Sequence, residues 1–135
     1  MTGATHMLAA ATIYKIVPSK PIALALALGS HFLLDAIPHY EIGATSNYIL
    51  GTITITFLFI LAFITKDYII LVAAFLGALP DLNWMLGFSQ TLDKFHSFTH
   101  VNESLQQLNI LFIAETVIDL VLAILILSLT SKSSF

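Results

Sequence analysis

The chain has 135 residues, 58% apolar and 10% charged, with five lysines, no arginine, eight acids and a net charge of −3. A soluble domain carries about 25% charged and 45–50% apolar residues, so too few polar side chains remain here to cover a water-facing surface, and the mean hydropathy of +0.94 agrees. This argues against a soluble enzyme, a disordered chain and a nucleic-acid binder, which needs a basic face. It leaves one small polytopic membrane domain over residues 1–135, with the lipid bilayer around it.

Residues 5–17 are apolar but only one short helix long, which suits a half-span or a shallow segment packed on a bundle. No basic leader and cleavage site precede a polar domain, so this segment reads as part of the fold rather than as a signal peptide. A span needs roughly 20 apolar residues. Residues 22–37 are apolar apart from Gly29, Ser30, His31 and Asp35, and Pro21 suits a helix first turn. Residues 48–65 form a clean span whose threonines can bond back to helix carbonyls. Lys66-Asp67 is a tight polar turn. Residues 68–79 are apolar, Pro80-Asp81 interrupts them, and the pattern resumes weakly through residues 84–87. Residues 110–129 are the longest run, broken by Glu115 and Asp119, with a helix start near Asn102. The expected fold is all-α: a polytopic membrane bundle of four spanning helices plus a short N-terminal helix.

Lysine sets the orientation. If the first segment and the four later helices each cross once, Lys15, Lys20, Lys66 and Lys132 share one face and Lys94 lies on the other. The lysine-rich face is then cytoplasmic, with the N-terminus outside and the C-terminus inside the cytoplasmic membrane. On this arrangement all five histidines and five of the eight acids gather on the outer side. The lysines did not dictate that gathering, and it points to one polar site sunk into the outer half of the bundle.

Four constellations carry chemistry. In His31-x3-Asp35-x3-His39 the three side chains lie on one helix face, although Pro38 turns the chain before His39. In His96-x3-His100, with Asp93 and Glu103 flanking, all four share a face if the stretch is helical; a polar loop at the headgroups is the plainer alternative. Imidazole and carboxylate are the usual zinc ligands where thiolate is absent, and cysteine is absent here. That absence also removes disulfides and thiol nucleophiles. In Gly77-Ala78-Leu79-Pro80-Asp81 the proline breaks the helix, and Asp81 either points into a cavity or caps a short helix starting at Leu82. Glu115 and Asp119, four apart on the last span, demand partners or protons in hydrocarbon. Glu115 suits a second-shell orienter or a general base, and the pair equally suits neutral acids bonded across helices or a proton path. No serine elbow, phosphate loop or dinucleotide fingerprint is present.

With these residues the chain resembles the bacterial family of membrane-bound, metal-dependent hydrolases known as LexA-regulated inner-membrane hydrolases. That family has Thr-His near the N-terminus, Gly-x-Leu-Pro-Asp-x-Asp-His ending a hydrophobic helix, and His-x-x-x-Thr-His after it. Here stand Thr5-His6, Gly77-Ala78-Leu79-Pro80-Asp81-Leu82-Asn83-Trp84 and His96-Ser97-Phe98-Thr99-His100. The stretch from Ser30 through Asp35 to Tyr40 also resembles the His-x-x-x-Asp helix of zinc-dependent phospholipases C. The resemblance implies His6, His31, Asp35, Asp81, His96 and His100 as metal ligands. Asn83 and Trp84 stand where the family has Asp and His, and the last histidine pair is one residue closer.

The expected activity is hydrolysis of an ester or phosphoester, of a lipid or lipid headgroup, by a water activated on a divalent metal, zinc above others. Glu41 or Glu115 would be the base. Two alternatives stay open: a metal-ion or proton transporter using the same ligands with Glu115 and Asp119, and a structural or regulatory membrane protein with a vestigial site.

Overall fold

A computed structural model describes residues 1–40, 42–99 and 109–132. The described residues form six helices and no strand. These are α1 (Gly3–Ile16), α2 (Lys20–Asp35), α3 (Ala44–Thr65), α4 (Ile69–Leu86), α5 (Gln90–Thr99) and α6 (Asn109–Lys132).

Helix α1 is the axis of the fold, not a shallow segment. It packs against α2, α3, α4 and α6, and nine of its fourteen residues are buried. Small side chains make this possible. Ala10 and Ala11 of α1, Ala23 and Ala27 of α2, Ala62 of α3, and Ala73 and Ala74 of α4 are fully enclosed. Where neighbouring helices meet through alanine and glycine, backbones approach closely and pack without long rotamers to immobilise. At Gly77 the approach is closest, since a Cβ there would lie 2.6 Å from the His6 carbonyl oxygen. Tyr14, fully buried, closes the far end of this core.

Local signals set the helix ends. The Thr2 side chain accepts from the Thr5 amide at 3.2 Å and caps α1. Pro21 opens α2, which stops at Asp35, short of Pro38. In α3, the hydroxyls of Thr52, Thr56 and Thr65 donate to carbonyls four residues back at 2.7–2.8 Å, as hydroxyls do where water is absent. Gly87 ends α4 in the left-handed conformation, φ 67°, its amide donating to the Asn83 carbonyl at 2.6 Å.

Two expectations are corrected. The first is the span count. Two helices, Ala44–Thr65 and Asn109–Ser131, are long and apolar enough to cross a membrane. Helix α2 has 16 residues, about 24 Å at 1.5 Å per residue, against a hydrocarbon core of about 30 Å. In α4 the apolar stretch covers only Ile69–Asn83. The orientation counted from five crossings therefore loses its basis. The second is the break at Pro80. Helix α4 runs through it to Leu86, so Asp81 does not cap a new helix. A proline removes one backbone bond, and at this buried position the surrounding helices hold the turn together. The helix start near Asn102 lies outside the described residues.

Charge divides between the two ends of the bundle. At one end Lys15 pairs with Asp67 at 2.7 Å, the Tyr14 hydroxyl donates to Asp67 at 2.6 Å, and Lys20 donates to Tyr14 at 2.5 Å. The opposite end, where α1 starts and α2 and α4 finish, holds His6, His31, His39 and His96.

Candidate metal centre

Three helices supply a buried His/Asp group: His6 from α1, His31 and Asp35 from α2, and Asp81 from α4. One ligand atom from each lies within 4.8 Å of all the others, so the group can hold a metal ion. His6 and His31 are fully buried, while the Asp81 side chain keeps 27% of its exposure and marks the open side.

Asp35 is the hub. Its Oδ1 lies 3.1 Å from His6 Nε2 and 2.9 Å from the Met1 amino group; its Oδ2 lies 2.9 Å from His31 Nε2 and 3.2 Å from His96 Nε2. Asp81 Oδ1 stands 3.7 Å from His31 Nε2 and 3.3 Å from His96 Nε2. The His6 and His31 rings stack with centroids 4.0 Å apart, so both edges face the same carboxylates.

Orientation tells more than distance. His31 Nδ1 lies 2.8 Å from the Gly77 carbonyl oxygen, and only an N–H can donate there. That bond fixes the tautomer and leaves the Nε2 lone pair facing Asp35, the arrangement by which outer partners orient a ligating histidine. His31 Nε2, both His6 ring nitrogens and Asp81 Oδ2 are buried without an aligned hydrogen bond among the described residues. Nitrogen and oxygen therefore approach within contact distance yet point past one another. A shared cation satisfies such atoms, and burial without a partner is otherwise costly.

The charges agree. Burial pushes His6 below its ordinary imidazole value. Burial raises the Asp35 and Asp81 carboxyls, but the surrounding imidazoles outweigh it and hold both well below the usual range. Burial lowers His96, yet Asp35 and Asp81 raise it to about 9. Two carboxylates in this pocket thus attract positive charge.

The other sequence-derived residues divide. His96, from the helix α5, stands beside the group, its Nε2 near both carboxylates. Its neighbour Asp93 turns instead to Asn83, accepting a short hydrogen bond from the amide. Asn83, fully buried, also donates to the Ser89 carbonyl at 3.0 Å and so ties the end of α4 to the start of α5. His39 leaves the His31–Asp35 row, with Nδ1 2.8 Å from the Ile37 carbonyl. Glu115 meets the start of α1, where Oε1 accepts from the Thr2 amide at 2.5 Å and the Thr5 hydroxyl at 2.9 Å. It thereby fixes the turn that carries His6. Glu41 and His100 lie outside the described residues. Sequence reasoning missed the Thr2–Thr5–Glu115 tie and the Gly77 carbonyl. A threonine one residue before His6 and a glycine four before Asp81 were the visible signals.

No protein-family model matches the chain, and neither the curated proteins nor the solved structures contain a match.

Proposed function

We propose that this chain is a membrane-bound, metal-dependent hydrolase acting on an ester or phosphoester of a lipid or lipid headgroup. One observation carries the reading: buried nitrogen and carboxylate ligands from three helices converge within 4.8 Å without bonding one another as aligned donors and acceptors. The mixed nitrogen and oxygen donors suit zinc. His6, His31, Asp35 and Asp81 would hold a divalent metal, whose Lewis acidity would activate water and polarise the scissile group.

The chain's own residues supply the rest. His6 and His31 present buried ring nitrogens, the latter oriented by the Gly77 carbonyl. Asp35 supplies the central carboxylate, and Asp81 faces the side from which substrate enters. His96 approaches both carboxylates from α5. Glu115, through Thr2 and Thr5, holds His6 in register. The resemblance to the LexA-regulated inner-membrane hydrolases supports the same assignment. We place the Lys15–Lys20–Asp67 end at the cytoplasmic face, because lysine is retained there. The site then opens at the extracytoplasmic surface, within reach of headgroups.

Elemental analysis of the detergent-purified protein, paired with a hydrolysis screen over phospholipids and phosphate esters, tests this. About one zinc per chain and an activity lost in His31→Ala are expected. A metal-free protein after zinc reconstitution, or activity indifferent to His31→Ala, overturns the proposal.

A further inference from the structure

His96 reaches the metal group because α5 lies across the site end of the bundle, and three stripes divide this ten-residue helix. Asp93 and His96 point inward, to Asn83 and to the two carboxylates. Gln90, Lys94 and Ser97, at i, i+4 and i+7, are exposed and polar. Phe95 and Phe98, three apart, are 55% and 81% exposed. An inward stripe, a wet stripe and an aromatic stripe on one short helix mark a boundary between phases.

What meets the aromatic stripe follows from its neighbours. Phe95 packs edge-on against Phe32 at 4.7 Å, and the next residue of α2, Leu33, is 73% exposed. On the α4 side, Leu86 and Phe88, in the stretch that leads from α4 into α5, are 71% and 58% exposed. Met85 before them contacts the Tyr48 hydroxyl at 4.0 Å. Tyr48 stands in the second turn of α3, one of the two described helices long and apolar enough to cross a membrane. The end of α4, against which α5 packs, thus links α5 to such a helix. A tyrosine at their junction suits the headgroup level, where aromatic rings with one polar tip collect.

We propose that α5 is an interfacial helix. Phe95 and Phe98 sit at the boundary of headgroups and acyl chains, Gln90, Lys94 and Ser97 face water, and His96 faces the metal group. The partner is the lipid surface itself. This rests on the membrane location in the preceding reading but not on the metal or on hydrolysis. Lys94 has the long stem that lets an ammonium at this depth reach the phosphates.

The chain has no cysteine, so single spin labels can be placed without background. Phe98→Cys and Ser97→Cys probe the two stripes, and Phe59→Cys, on the exposed side of α3, gives the lipid reference. All three positions are exposed, so labelling leaves the core intact. The full chain is reconstituted in phosphatidylcholine–phosphatidylglycerol vesicles, and collision with oxygen and with a neutral nickel chelate is measured. At residue 98, oxygen should exceed nickel collision several-fold, with a depth shallower than residue 59. At residue 97 the order should reverse. Nickel accessibility at 98 equal to that at 97 puts the stripe in water and overturns the proposal. Low collision with both reagents puts a protein neighbour there and also overturns it. A water-like signal at residue 59 removes the membrane location itself, and the proposal falls with it.

Discussion

Gly77 is the position where a single methyl group tests the whole arrangement. A Cβ there would stand 2.6 Å from Ala10 Cβ and 2.6 Å from the His6 carbonyl oxygen. Carbon atoms settle at about 3.5–4.0 Å, so Gly77→Ala must part α1 from α4 by about 1 Å. Both obstacles are backbone or one bond from it, and neither can swing aside. Overpacking of this kind costs about 1–3 kcal/mol, against about 1 kcal/mol that alanine gains over glycine in a helix interior. The net loss of stability is therefore at most about 2 kcal/mol. The metal group is affected more, because His6 rides on α1 while Asp81 and the carbonyl that orients His31 ride on α4. Ligand distances tolerate only about 0.2 Å, and disturbing ligand-orienting partners costs about 10–100-fold in affinity. Zinc affinity of Gly77→Ala, read by competition with a chromophoric chelator in detergent, should fall by about tenfold or more. Gly29 is the control. The same methyl meets nothing within 4 Å there, so Gly29→Ala should gain up to about 1 kcal/mol with unchanged zinc affinity. Wild-type affinity in Gly77→Ala, or equal effects at the two glycines, refutes the reasoning.

Asp35→Asn removes the charge that faces His6, His31 and His96, so bound zinc measured by elemental analysis should drop from about one per chain towards none. An unchanged helical circular-dichroism spectrum would show that the loss is local. Asn83→Ala deletes the ties to Ser89 and Asp93, at about 1–3 kcal/mol for buried groups left unpaired. Hydrogen exchange should then speed up in α5 ahead of α1; unchanged protection in α5 would count against the latch. At the opposite end, Tyr14→Phe should cost about 1–1.5 kcal/mol by denaturant unfolding and leave zinc affinity alone. That end also carries a pH dependence. Burial raises Asp67, but hydrogen bonds from Lys15 and Tyr14 outweigh it and hold the carboxyl below its ordinary value. Its folded-state pKa is the lower one, so its stabilisation is full above about 3.9 and disappears as pH falls through the folded value. Asp67→Asn should flatten that acid limb of the unfolding curve. Burial and Asp67 push Tyr14 up, so its contribution is full below about pH 10 and is lost as pH rises beyond it.

The gathering of the ligands was legible in the sequence because it needed only spacing. His31 and Asp35 are one helical turn apart, and His96 lies on the helix that follows Asp81. Any antiparallel path of α1, α2 and α4 brings His6, the end of α2 and the end of α4 to one end. The roles of neighbouring polar residues were less legible, since a side chain's partner depends on how closely two backbones approach. From its place on the last span Glu115 reads equally as an orienter, a base, a neutral acid bonded across helices or part of a proton path; only the position of α1 turns it to the Thr2 amide and the Thr5 hydroxyl. Asn83 reads as a lost ligand, and the turn at Gly87 makes it the tie that holds α5.

The span count failed for a reason tied to the site itself. Apolar runs of about 12 to 16 residues, each broken near one end by His, Asp or Pro, look like spans with functional interruptions. In the structure the interruptions are the helix ends. Asp35 is the last residue of α2, with His31 one turn before it, and Asp81 lies in the last two turns of α4. The residues that shorten the apolar stretch are the ones that build the metal group, so site and span draw on the same few residues. Helix α3 carries no acid or histidine, α6 stays apolar enough to cross despite Glu115 and Asp119, and both remain mostly exposed to the outside. The short ligand-bearing α2 and α4 and the long α3 and α6 all pack on the alanine-rich α1. A variant with leucines at His31 and Asp35 would make α2 more apolar up to its end and lose the metal group in one step. Zinc content and the membrane protection of α2 should therefore move in opposite directions, as read by elemental analysis and by labelling of introduced cysteines. A double variant that keeps its zinc, or leaves α2 as accessible as before, would break this link between short helices and buried ligands.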